Sequence, residues 1–182
     1  MSDISDRYRR LSGAFVDKVS QVSPERWSAA SPCEGWTARD VVVHVVDAHG
    51  IFFKLVDRPF ERTVSIEDDT EGALRQVMTQ TQAELDDPAR AGAMFDGFFG
   101  RMSFEDAIDR FICFDLVVHG WDLARAVGLD ETITPAEVVK LGVTAEAFGD
   151  ALHTPGVCGP SVDAAPEADD QTKLLALLGR RA

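Results

Sequence analysis

The sequence predicts an all-α protein built as a four-helix bundle, with an additional helix and an extended C-terminal strap. Three observations support this fold class. Apolar residues recur every three or four positions over most of the chain, which is the spacing of one helix face. Helix-capping residues precede several of these stretches. No stretch shows the sustained alternation of apolar and polar residues that is typical of a half-buried strand.

The first predicted helix covers residues 3–22, and a long connection follows it. The apolar positions of this helix form a single face. They are Ile4, Tyr8, Leu11, Phe15, Val19 and Val22. Pro24 ends the helix, because a proline disfavours the helical conformation of the residue before it. Residues 23–36 also contain a second proline and a glycine, and we expect them to form the crossover connection of the bundle.

Two further helices are predicted in the next part of the chain. Thr37 can cap a helix that runs to about residue 57, and Asp40 stands in the reciprocal position of a capping box. The third predicted helix covers about 67–87, and the acidic residues at its start suit the positive end of the helix dipole. The inward positions of this third helix are Leu74, Val77, Met78, Thr81 and Leu85.

A loop and two more helices follow. Residues 88–102 are rich in glycine, and we predict a loop that packs aromatic rings onto the core. These rings belong to Phe95, Phe98 and Phe99. A long fourth helix is predicted over 103–128. The fifth, over 134–152, has the clearest start signal in the chain, because Thr134, Pro135 and Glu137 occupy the cap, the first and the third helical positions.

The C-terminal part differs in composition from the rest of the chain. Residues 154–170 contain prolines and glycines at short intervals, which indicates an extended strap on the surface. The strap leads into a short apolar helix that needs a surface to cover, with Leu174, Leu175, Leu177 and Leu178. We treat 153–182 as a strap and helix packed on the bundle, and we expect residues 1–182 to form one domain.

Composition limits the partners that this protein can have. Lys and Arg number 18 and Asp and Glu number 31, which gives a formal net charge of −13. A charge of this sign repels phosphate backbones and anionic lipids, so we expect neither nucleic acid nor membranes as partners. The three cysteines, Cys33, Cys113 and Cys158, are too far apart to indicate a disulfide framework. The polar start of the chain shows no signal segment, and we expect a cytoplasmic protein.

Three polar residues occupy positions where the helical period predicts apolar ones. His44 lies in the middle of the apolar stripe of the second predicted helix. In the fourth predicted helix the inward line begins apolar and becomes polar at Asp115 and His119. These two residues are four positions apart, so they lie on one helix face. A carboxylate and an imidazole that point into a bundle destabilise it unless they are paired.

A bound divalent metal would remove this cost, and His44, Asp115 and His119 would be its ligands. Metal sites are built in this way in the cores of helical bundles, and three protein ligands leave a position open for water or substrate. The alternative is that Asp115 merely hydrogen-bonds His119 in the core. Asp122 could orient the His119 imidazole from behind, or it could instead pair with Arg125 or another cation.

Other candidate residues have less specific signals. His49 is five residues after His44, about 140° around the helix, and we expect it at the rim or the surface. His153 lies at the start of the strap and carries no signal of function. For Trp36 and Trp121, we favour a role in core packing over a role in lining a substrate pocket. Cys33 could be a nucleophile, but it is more typical of a small buried hydrophobic residue.

Two segments together resemble a known family. Residues 31–44, with the sequence SPCEGWTARDVVVH, resemble the segment that leads to the first metal histidine in DinB-like proteins of actinobacterial type. Residues 115–126, DLVVHGWDLARA, resemble their second ligand segment, and residues 173–181, KLLALLGRR, are similar to the tail of a single-domain subgroup. These proteins belong with the N-terminal, metal-binding domain of mycothiol-dependent maleylpyruvate isomerase.

The resemblance implies a four-helix bundle that holds a divalent metal, zinc or nickel, and it places His44, Asp115 and His119 at the ligand positions. It also implies a homodimer. Characterised members of the family use the metal to activate a low-molecular-weight thiol, such as mycothiol or bacillithiol. The isomerase has glutamate where this chain has Asp115, and we expect this chain to lack the isomerase's second domain. Maleylpyruvate isomerase activity itself is therefore not the expectation.

Three functions are consistent with these observations. The first is a metal-dependent transferase or isomerase that uses a low-molecular-weight thiol and an electrophilic substrate. The second is a metal-binding or small-molecule-binding stress protein without turnover. The third is a helical scaffold whose polar core residues satisfy one another. Metal content separates the third function from the other two, and consumption of a thiol separates the first from the second.

Overall fold

The computed structural model describes residues 2–97, 100–154 and 156–182, and it is mostly helical, which confirms the predicted fold class. Four long helices form the bundle: α1 (Asp3–Val19), α2 (Ala38–Leu55), α3 (Thr70–Asp86) and α6 (Cys113–Val127). The shorter elements are α4 (Pro88–Ala91), β1 (Met94–Gly97), β2 (Gly100–Ser103), α5 (Phe104–Ala107), α7 (Pro135–Phe148) and α8 (Asp170–Leu177). Within the described ranges, no helix combines the length and the apolar character needed to cross a bilayer.

The four long helices pack in a ring, since α1 and α2 each contact both α3 and α6. The predicted apolar stripes point into this ring. Tyr8 and Phe15 of α1, Val41 and Val45 of α2, and Leu74 of α3 are all buried in one core cluster. Burial of such side chains is the main favourable term in the folding of the bundle.

Capping residues decide where two of the helices begin. Thr37 and Asp40 form the predicted capping box at the start of α2, and each side chain accepts a hydrogen bond from the other's backbone N–H. The Thr134 side chain caps α7, with Pro135 in the first turn as predicted. The third helix begins at Thr70, about three residues later than predicted, and the Asp69 side chain caps it.

The predicted fourth helix and the loop before it differ in detail from the structure. The stretch predicted as one fourth helix is helical from Phe104 to Val127, but its residues Ile108–Ile112 form a π-helical segment between α5 and α6. The loop predicted over 88–102 contains the short helix α4 and an antiparallel pairing of β1 with β2. Each of these strands has four residues, which is too short for a readable alternation. Phe95 is buried as expected, whereas Phe98 and Phe99 lie outside the described residues.

The C-terminal strap is attached to the bundle by specific contacts. Helix α8 packs against α7, and Leu174, Leu175 and Leu178 are buried. The Val162 backbone N–H donates to the Ala176 carbonyl, which holds the strap against α8. Gln171 accepts a hydrogen bond from the Ile133 N–H and donates one to the Glu131 carbonyl. The end of the chain is therefore fixed against the helices that precede it.

His49 lies in the core and not at the rim, so the expectation from its position in α2 is wrong. Its ring is fully buried. Nδ1 donates to the Val45 carbonyl at 2.6 Å, and Nε2 accepts from the Tyr8 hydroxyl at 2.9 Å. The helical angle predicted a different direction from His44, but it could not show that Tyr8 of α1 would meet this side. Burial lowers the pKa of His49 to about 4, against smaller opposing effects of the Val45 carbonyl and Asp115.

This burial predicts a component of acid instability. Between pH about 6.5 and 4, His49 binds a proton in the unfolded chain but not in the folded one, so the free energy of unfolding falls by up to about 3 kcal/mol over that window. Urea unfolding at pH 8, 6 and 4.5 measures this change in the free energy of unfolding. His49→Gln removes this component, whereas His153→Gln, at an exposed histidine, keeps it. Equal pH slopes for the parent and His49→Gln would contradict the prediction.

Candidate metal centre

The packing of α2 against α6 brings the three predicted ligand residues together. One donor atom from each of His44, Asp115 and His119 lies within 4.8 Å of the other two. His44 Nε2 is 3.4 Å from Asp115 Oδ2, and the imidazole centroids of His44 and His119 are 4.7 Å apart. Donors that share a zinc ion with bonds of about 2.0–2.1 Å stand about 3.4 Å apart, so the cluster is close to the size of a metal site.

The cluster is open to solvent on one side. The side chain of His44 is 34% exposed and that of Asp115 is 27% exposed, whereas His119 is buried. Trp36 covers part of the cluster, with its ring centroid 5.0 Å from that of His44 and 5.9 Å from that of His119. Trp36 therefore packs against the core, as predicted, and also forms a wall of the site. Trp121 is a core residue.

Asp122 fixes the orientation of His119. Its Oδ2 is 2.9 Å from His119 Nδ1, and the carboxylate is fully buried. Because a carboxylate only accepts hydrogen bonds, the ring donates through Nδ1, and the neutral tautomer that fits this bond has its lone pair on Nε2. The sequence left two roles open for Asp122, and the structure shows both. The paired cation, however, is Arg180 and not Arg125, which pairs with Glu131.

Opposing effects act on the pKa of Asp122. Burial, the strongest single influence, raises it. Hydrogen bonds and charge from His119 and Arg180 together outweigh burial and lower the pKa of Asp122 to about 2. The carboxylate is therefore ionised at neutral pH. For His44, burial likewise acts against the charged form, but the hydrogen bond and charge of Asp115, helped by Asp47 and Asp122, raise its pKa overall.

Cys33 belongs to the same polar cluster, so its interpretation as a plain hydrophobic residue is wrong. Its thiol donates to Asp122 Oδ2 at 3.3 Å and accepts from Arg180 Nη2 at 3.6 Å. Burial, and to a lesser degree the charge of Asp122, raise the pKa of the Cys33 thiol to about 12. The residue lies in the crossover connection, 89 positions before Asp122, and this separation hid the contact from sequence reasoning.

Residues 8–124 match the family described as Mycothiol maleylpyruvate isomerase N-terminal domain. This is more than half of the chain. The chain belongs to this family. Two proteins of Mycobacterium tuberculosis, from strains H37Rv and CDC 1551, are each 26% identical to it over 178 residues, which cover 95% of both chains, and both are named as uncharacterized. No solved structure matches.

Two groups of side chains in this member of the mycothiol maleylpyruvate isomerase N-terminal domain family could hold a metal ion. His44, Asp115 and His119 offer two imidazole nitrogens and a carboxylate, which suit zinc and similar divalent ions. A second group, Cys33, His119 and Asp122, has a similar size. In that group the guanidinium of Arg180 already neutralises Asp122, and His119 would have to give up its bond to Asp122. The chemistry of the donors therefore favours the first group.

Substitution of Asp115 tests the ligand set. Asp115→Asn keeps the shape of the side chain and removes its charge, so we expect zinc affinity to fall about 10- to 100-fold or more. The matched control is Asp47→Asn, which removes one negative charge from an exposed position one turn after His44. Competition with a chromophoric chelator measures both constants. Equal losses in the two variants would show that Asp115 acts only through its charge at a distance and is not a ligand.

Proposed function

We propose that this protein binds one divalent ion, zinc or nickel, through His44, Asp115 and His119, and uses it in the reaction of a low-molecular-weight thiol such as mycothiol with an electrophilic substrate. The activity would be that of a metal-dependent thiol transferase or isomerase. The observation that carries the proposal is the three-residue donor cluster, open to solvent on one side. Family membership supports the thiol. A homodimer and a cytoplasmic location are also part of the proposal, and the homodimer rests on the family resemblance.

Each residue of the cluster has a definite task in this proposal. Asp122 holds the proton of His119 at Nδ1, so that Nε2 can act as a donor. Asp115 brings a negative charge that offsets part of the charge of a divalent ion. His44 would exchange its contact with Asp115 for a bond to the ion if both residues became ligands. A bound metal ion would lower the pKa of a thiol that enters the open position.

The chain's own cysteines suit the use of an external thiol. Burial is the main reason why the pKa of Cys33 and that of Cys113 are raised to about 12, and burial also raises the pKa of Cys158. All three are therefore protonated at neutral pH, and a protonated thiol is a poor nucleophile. Trp36 presents an aromatic surface beside the open position, against which an apolar part of a substrate could pack.

Metal content is the first test of the proposal. Protein purified without an affinity tag should contain about one divalent ion per chain, because three ligands complete one site. His44→Ala and His119→Ala should each lose most of it. His153→Ala serves as the control, since His153 is exposed and its ring is hydrogen-bonded to the Gly159 carbonyl in its own strap. Full metal content in His44→Ala, measured by mass spectrometry, would exclude this ligand set.

Thiol binding is the second test. Addition of mycothiol to the cobalt-loaded protein should produce a thiolate-to-cobalt charge-transfer band in the near ultraviolet, because sulfur replaces water in the open position. Consumption of the thiol with an electrophile should then depend on the metal and on His44. A charge-transfer band without consumption of thiol across a panel of electrophiles would favour the second function, a metal-binding or small-molecule-binding stress protein without turnover. Absence of the band in metal-loaded protein would contradict the thiol hypothesis.

A further inference from the structure

Arg180 connects the C-terminal tail to the candidate metal centre. It is 8% exposed. Its Nε donates to Asp122 Oδ1 at 3.2 Å and its Nη2 donates to Oδ2 at 2.9 Å. One edge of the guanidinium therefore donates to both carboxylate oxygens. Nη1 donates to the Leu178 carbonyl at 2.7 Å. Paired hydrogen bonds of this type fix orientation as well as add energy. The residue lies beyond the family-matched segment 8–124.

The backbone of the tail holds Arg180 in place. The Arg180 N–H donates to the Leu175 carbonyl at 2.8 Å. Gly179, with φ of +81°, lies so close to the strap that a Cβ there would be 2.9 Å from the Pro160 carbonyl oxygen. Only glycine combines this conformation with this contact. The guanidinium is therefore aimed at Asp122 by a packed turn and not by a loose chain end.

The two oxygens of Asp122 receive hydrogen bonds from three segments of the protein. His119 Nδ1 and Cys33 Sγ reach Oδ2, and Arg180 reaches both oxygens. Without Arg180, a fully buried carboxylate would lose its compensating charge and two of these donors. Removing one partner of a buried pair leaves the other strongly destabilised. The carboxylate would then lose the two hydrogen bonds that fix its orientation and could turn, which would alter its bond to His119.

We propose that Arg180 is a positioning residue of the metal centre. Through Arg180, the C-terminal tail holds the Asp122 carboxylate in the arrangement that keeps the His119 proton on Nδ1 and leaves Nε2 for the metal. This inference rests on the proposed function for its consequence, which is metal affinity. The effect of Arg180 on the tautomer of His119 can be measured in the metal-free protein. The C-terminal tail, which lies outside the matched family segment, thereby completes the site.

The tautomer of His119 provides the first measurement. In the metal-free, nitrogen-15-labelled protein, the side-chain spectrum should show His119 protonated at Nδ1. Arg180→Met keeps much of the volume and removes the charge, and its spectrum should move toward the Nε2-protonated form. The matched control is Arg181→Met at the exposed neighbouring position, which should resemble the parent. A folded Arg180→Met protein with an unchanged His119 spectrum would overturn the inference.

Zinc affinity provides the second measurement. Loss of an outer partner of a metal ligand lowers affinity about 10- to 100-fold, and we expect that loss in Arg180→Met but not in Arg181→Met. If Arg180→Met does not fold, Arg180→Lys takes its place, because lysine keeps the charge and loses the paired geometry. Guanidinium ion at millimolar concentration should restore part of the affinity of Arg180→Ala. Parent-like zinc affinity in Arg180→Lys, or no recovery with guanidinium, would overturn the inference.

The two hypotheses fail in different ways. A parent protein that binds neither zinc nor nickel contradicts the proposed function, whereas the spectra of the metal-free protein still decide the role of Arg180. A parent protein that binds zinc with Arg180 variants of equal affinity contradicts only the inference about the strap.

Discussion

The Asp122 carboxylate is the group on which the arrangement of the site depends. It is fully buried and ionised, and its hydrogen bonds come from α6, the crossover connection and the C-terminal tail. A buried charge of this kind is tolerated only when it is paired and hydrogen-bonded, so the positions of His119, Cys33 and Arg180 are mutually constrained. Because His119 is both the partner of Asp122 and a member of the donor cluster, this constraint reaches the candidate metal centre directly.

The bundle and the site impose opposite requirements on α2 and α6. Core packing requires apolar side chains along the inner faces of both helices, and Val41, Val45 and Leu123 meet this requirement. The site requires polar side chains at the same interface, and two of its three donors stand at the solvent-exposed edge while His119 is buried. His44 and Asp115 lie at that edge, and they pair with each other. The placement of these polar groups at the edge lets the bundle remain stable while one side of the cluster stays open.

The sequence predicted features that depend on neighbouring positions along a helix. The helix starts at Thr37 and Thr134 follow from local capping chemistry, and His44 was detected because a polar residue interrupted an apolar stripe. Contacts between distant segments could not be predicted in the same way. No periodicity relates Arg180 to Asp122 or Tyr8 to His49, because such pairs depend on how whole helices and the strap pack. The β1–β2 pairing was missed because its strands are only four residues long.

X-ray absorption spectroscopy of the zinc-loaded protein, without added thiol, tests the central claim most directly. The two donor groups share His119 but differ in one atom type, because one contains Cys33 and the other contains no sulfur. Zinc–sulfur bonds are about 2.3 Å long and zinc–nitrogen and zinc–oxygen bonds about 2.0–2.2 Å, so the first coordination shell separates them. Ligation by His44, Asp115 and His119 predicts a shell of nitrogen and oxygen alone, with imidazole scattering. A sulfur shell at about 2.3 Å would contradict the account and assign the metal to Cys33 instead.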